Sequence, residues 1–213
     1  MALRTTQTWL CWLAVLLFSG EEALSQKCQS DLLRNLTANL QKAVDCGLEP
    51  PADWEDKSTA LLLMNMRNLT ETLHKHQLAA CQGAEPSQCH EAEVPRNGGL
   101  ACATVAQKRY CKPLCNNGYD FSFLRRSRLF DECSEQTGFR WNSQYVGGNT
   151  LAVCNEAHIS VAGASTAYFP KGQDCLKTKS NSLMRESILE TFATDLKNQG
   201  VVGELQHRCL VCG

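Results

Sequence analysis

The chain has 213 residues, 43% of them apolar, with 21 basic and 22 acidic side chains and a formal net charge of −1. That length suits one or two compact domains, and the charge balance excludes both a chain kept unfolded by self-repulsion and a strongly basic nucleic-acid surface. Composition is unusual in one respect, its thirteen cysteines.

Arg4 precedes a continuously apolar run from Trp9 to Phe18, and small residues follow at Gly20, Ala23 and Ser25. That order reads as a secretory signal peptide over residues 1–25. The run is too short to cross a bilayer, which takes about 20 apolar residues. Cleavage after Gly20 and cleavage after Ser25 both fit, and either removes Cys11, so that thirteen cysteines become twelve. An even number in an oxidising compartment permits complete pairing into disulfides. No later run reaches membrane-spanning length, so a secreted chain with no membrane span is expected. The sequons Asn35-Leu-Thr37 and Asn68-Leu-Thr70 lie on the same route and mark Asn35 and Asn68 as glycan acceptors.

Residues 26–86 read as a helical region. Between Cys28 and Cys46, Leu32, Leu33, Leu36, Leu40 and Val44 form the stripe of an amphipathic helix, stopped by Gly47 and the pair Pro50-Pro51. A second helix is expected from about Asp56 to Ala80, with Leu62, Met66, Leu69 and Leu73 on one face and Ser58 as an inner cap. Two helices joined by a short loop pack most simply as an antiparallel hairpin, which brings Cys28 towards Cys81.

Residues 89–154 differ in texture. Six cysteines, frequent Gly and Asn and the absence of a helical period suit short, crosslinked strands. Within 155–213, His158 to Phe169 has the Val, Ala, Ser and Thr content of one or two strands, and Met184, Ile188, Phe192 and Leu196 predict a helix over Ser182–Asn198 that returns to the N-terminal hairpin. The fold class is therefore α+β: a helical hairpin, a small disulfide-rich β module and a C-terminal helix.

The module opens at Cys89, passes Pro95-Arg-Asn-Gly98, and continues through Cys102, Cys111, Cys115-Asn-Asn-Gly-Tyr119, Cys133, Gly138-Phe-Arg-Trp141 and Cys154. It resembles a sushi, or complement control, module. The resemblance implies bridges Cys89–Cys133 and Cys115–Cys154 with Trp141 packed between them, and Cys102 with Cys111 looks like the additional bridge of selectin-type modules. It also implies a binding role. Outside the module, Cys28, Cys46, Cys81, Cys175, Cys209 and Cys212 remain to be paired. The expected bridges are Cys28 with Cys81, and ties from the C-terminal pair to Cys175 and to Cys46. Three cysteines lie on each side of the module, so complete pairing requires an odd number of crossings.

Chemistry-bearing motifs are sparse. Ser165 sits in Gly163-Ala-Ser-Thr-Ala167, which lacks the second glycine of a nucleophile elbow. His74, His76, His90, His158 and His207 form no metal or catalytic motif, and no phosphate-binding glycine loop is present. Cys209-Leu-Val-Cys212 beside His207 offers a redox dithiol or half a zinc site, against which stands the reading of two structural cysteines at a chain end. Arg125, Arg126 and Arg128 place three guanidinium groups within four residues, a candidate surface for sulfate, phosphate or carboxylate, or else a charged strand edge. The expected function is extracellular binding of a protein or glycan, with no cofactor and no enzymatic activity. The alternative is a cytokine-like signal or secreted inhibitor in which the module is a stabilising insert.

Overall fold

The computed structural model describes residues 30–47, 49, 54–143 and 146–213, so the expected leader and Cys28 lie outside the described residues. Contacts divide the chain into two compact units, Met1–Leu61 and Leu62–Gly213. The fold is mixed α+β, with helices and small antiparallel sheets.

In the first unit, helix α1 runs over residues 30–45. It stops at Gly47, whose φ of 62° is the left-handed conformation that glycine adopts most easily at a helix end. Leu32, Leu33, Leu40 and Val44 of its stripe are exposed. Helix α2, Asp56–Ala79, carries the chain across the unit boundary. It starts two residues before Ser58, whose backbone N–H already bonds Glu55 O, so Ser58 lies inside the first turn rather than capping it.

The second unit is built on strands β1 (Gly98–Val105), β2 (Lys108–Cys115), β3 (Tyr119–Phe121), β4 (Asp131–Cys133), β5 (Cys154–Glu156) and β6 (Gln206–Cys212), with helices α3 (Cys175–Ser180) and α4 (Ser182–Asn198). The main sheet has the order β4-β2-β1-β6, all antiparallel, and β3 pairs with β5 in a second sheet. Strands β1 and β2 form a two-residue hairpin in which Ala106 and Gln107 both take positive φ, 46° and 60°. This is the turn whose twist matches the strands, made here without the usual Asn or Gly.

Every residue of β1 is buried, because both faces of the sheet are covered. On one face Ala101, Ala103 and Val105 meet Leu189, Phe192 and Leu196 of α4, together with Tyr110, Leu114 and Leu210. On the other face Leu100 and Cys102 join Cys111, Cys133, Trp141, Cys209 and Val211, with Leu78 and Cys81 packed against them. Small side chains on β1 let α4 approach closely. Gly99 is required by a different close approach, that of α3 and β6, since a Cβ there would lie 2.5 Å from Cys175 Sγ and 2.7 Å from Val211 O.

Three features differ from the expectations or add to them. Helix α4, bounded as its period suggested, packs on the β1–β2 hairpin and β6 rather than on an N-terminal helical hairpin. Residues 89–154 do not close by themselves, because β6 pairs with β1 and α4 covers one face of the sheet. Finally, no strand forms between His158 and Phe169. That segment is held by the Asp120 carboxylate, which accepts hydrogen bonds from Val161 N (2.8 Å), Ala162 N (3.0 Å) and the Tyr168 hydroxyl.

Candidate functional site

The disulfides fix which surfaces meet. Cys89 bonds Cys133, Cys102 bonds Cys111, and Cys115 bonds Cys154, the three pairs that the sushi resemblance implies. Beyond them, Cys81 bonds Cys209 and Cys175 bonds Cys212. The expected bridge from Cys28 to Cys81 is therefore replaced by one to the C-terminal strand. β1–β6 pairing sets Cys209 opposite Cys102, on the sheet face against which Cys81 packs. The tie from Cys46 to the C-terminal group is also absent, and Cys46 is exposed and bonds to no described cysteine. Cys209 and Cys212 sit in different bridges, so they form neither a redox dithiol nor a zinc half-site. The sulfurs of Cys81, Cys102 and Cys209 lie within 4.8 Å of one another, but all three are spent in disulfides.

Trp141 stands where those bridges converge. It is buried, its Nε1–H donates to His90 O at 2.8 Å, and it packs with Cys102, Cys111 and Cys133. Beside it lies Arg109, which sequence reasoning did not single out. Its guanidinium donates to His207 O (2.9 Å), Thr104 Oγ1 (3.3 Å) and Cys209 Sγ (3.2 Å). The His207 backbone has a φ of 46°, and the β1–β6 register shifts between Cys102 and Thr104. Burial lowers the Arg109 pKa to about 10, against an opposing pull from the charge of Glu91. Its strand also carries Lys108 and Lys112, so a cation there gave the sequence no reason to single out Arg109.

The arginine run is not one surface. Arg125 is buried, with Nη2 donating to Asp131 Oδ2 at 2.7 Å and Nη1 to Leu151 O at 2.8 Å. Arg128 Nε donates to the other oxygen of the same carboxylate at 2.9 Å. Arg126 alone of the three is exposed, and it donates to Val161 O at 2.8 Å. The segment is an irregular loop, so neither the three-cation surface nor the charged strand edge is formed. Two of the three guanidinium groups are consumed in neutralising a buried acid.

A further exposed feature is helical. None of the 24 residues of α2 is buried, and Leu62, Met66 and Leu73 on one face are exposed at 42, 44 and 47%. Among the described residues, the contacts that fasten it are at its C-terminal end. Gln77 donates through Nε2 to Cys212 O (2.7 Å) and accepts at Oε1 from Cys212 N (3.2 Å) and Lys179 Nζ (3.0 Å), while Leu78 joins the Trp141 cluster. Both sequon asparagines are exposed on helices. Asn68 is two residues on from Met66, so about 200° round the helix and away from the stripe. Ser165 opens a short 3-10 turn and is exposed. Among the described residues no helix is long and apolar enough to cross a membrane.

Comparison with protein-family models, curated proteins and solved structures yields no match.

Proposed function

We propose that the chain is a secreted, disulfide-tied glycoprotein that binds an extracellular partner, with the apolar face of α2 as the contact surface. The observation that carries this reading is a 24-residue helix with no buried residue, fastened at one end and exposing Leu62, Met66 and Leu73 along one side. Exposed apolar side chains on a helix suit an interaction site, and Leu61, Leu63 and Met64 add exposed apolar surface beside the stripe. It favours a protein partner over a glycan, because an aliphatic stripe offers apolar contact and few hydrogen bonds.

Several observations support the wider reading. The five disulfides among the described residues suit an oxidising compartment. Three of them follow the pairing of a selectin-type sushi module, which supports a sushi-like framework for residues 89–154 that has been absorbed into a larger body. A glycan on Asn68, about 200° round the helix from Met66, would shield another side of α2 and leave the stripe open. The second reading, a cytokine-like signal or secreted inhibitor, is also served by an exposed amphipathic helix, and purified protein that activates a receptor would favour it.

Capture from extracellular fluid on immobilised native protein tests the proposal. A partner retained by the wild type and lost with Met66→Asp and Leu73→Asp, at unchanged disulfide pattern, is the expected result. Equal retention by both proteins would remove the α2 face from the account.

A further inference from the structure

Three cations are buried among the described residues, with exposures of 5% for Arg109, 1% for Lys112 and 4% for Arg125. Taking a cation out of water is costly unless an anion accompanies it. Lys112 Nζ lies 2.5 Å from Asp195, and Arg125 lies 2.7 Å from Asp131. Arg109 differs. Its described partners are a hydroxyl, a carbonyl and a disulfide sulfur, all neutral, and no described carboxylate lies within 4.0 Å. Glu91 acts on it only through the longer-range field.

Arg109 also lines a cavity of about 180 Å³, whose walls include Leu78, Leu100, Trp141 and Val211, with exposed Glu91 at its edge. We propose that this cavity binds a small amphipathic carboxylate, its head completing the charge of Arg109 and its apolar body lying against Trp141, Leu78, Leu100 and Val211. A monoanion matches a single guanidinium, whereas a dianion would bring an uncompensated charge into a cavity that already has Glu91 at its edge. A planar carboxylate also fits the two-pronged donor geometry of arginine. The size is set by the cavity, since an apolar cavity of about 150 Å³ takes up a six-carbon ring.

Hexanoate is the probe, with hexan-1-ol as its uncharged counterpart. Affinity is read by titration calorimetry on the full chain, and location by the indole N–H signal of Trp141. Hexanoate should bind at least about tenfold more tightly than hexan-1-ol, the worth of a charge-assisted hydrogen bond, and should shift the Trp141 signal. Arg109→Gln should abolish the difference between the two probes. Because that variant removes a buried side chain, Glu91→Gln provides an independent measurement. It takes away a competing negative charge from an exposed position, so hexanoate should bind several-fold more tightly while hexan-1-ol is unaffected. Equal affinity for the two probes, or no shift of the Trp141 signal at about 10 mM hexanoate, would overturn the proposal.

Discussion

Asp131 shows what spacing alone leaves open about a charged residue. It is fully buried and receives Arg125 and Arg128 on its two oxygens at 2.7 and 2.9 Å. The sequence marked the three arginines as a candidate anion surface or a charged strand edge. What spacing could not convey is that the loop folds back and takes Arg125 inside with its acid. Asp131→Asn should therefore destabilise the protein by about 3–5 kcal/mol, because a buried guanidinium loses its counter-charge. Denaturant unfolding of the variant measures this. At Asp120, burial alone would raise the carboxyl pKa, yet hydrogen bonds from Tyr168, Val161, Ala162 and Phe121 outweigh it and hold the group below its usual 3.8. A depressed folded-state pKa contributes stability that is present above the unfolded value and lost as pH falls through the folded one. Unfolding followed from pH 7 downwards should show wild-type stability falling below about pH 4, and Asp120→Asn should flatten that part of the curve.

At the scale of elements, α1, α2 and α4 were legible because a 3.6-residue apolar period survives in each, whether or not the face is finally buried. Their partners were not legible. The Ser182–Asn198 period identifies an apolar face but cannot say whether helices or a sheet cover it, and the structure places Leu189, Phe192 and Leu196 on β1 and β2. Phe192→Ala should cost about 3–5 kcal/mol and, if the packing is as described, perturb the signals of Ala101, Ala103 and Tyr110 in the sheet. Strand β6 was missed altogether. Gln206–Cys212 was read for its cysteines, and its pairing with β1 is a contact across more than a hundred residues that no local pattern announces. The hairpin turn at Ala106-Gln107 was hidden for the opposite reason, since its residues are not the ones the conformation normally selects. The parity of the flanking cysteines did constrain the answer. One crossing, Cys81 to Cys209, and one bridge within the C-terminal group, Cys175 to Cys212, satisfy it and leave Cys46 unassigned among the described residues.

For the molecule as a whole, the α+β class and the cysteine-dense centre were readable, but the boundary of the centre was not. Residues 89–154 carry three bridges of their own and read as one disulfide-rich module. The sheet inside that stretch nevertheless borrows β6 and α4, which supply Leu210, Leu189, Phe192 and Leu196 to its core. Expressed alone, residues 89–154 should fail to give the dispersed amide spectrum of a packed domain, whereas residues 62–213 should give it. A well-packed isolated 89–154 would mean that the C-terminal region is an accessory.

That body holds α2 by its last turn and leaves Leu62, Met66 and Leu73 unburied, and the proposed binding role rests on this arrangement. Site-specific photocrosslinking on the native, disulfide-intact protein in extracellular fluid examines it directly. One crosslinker replaces Met66 on the stripe, and another replaces Glu71, nine residues from Leu62 and so about 180° away from it. Covalent capture of a partner from position 66 and not from position 71 is the expected result. Capture from position 71 alone, or equally from both, would contradict a binding surface on the apolar face of α2.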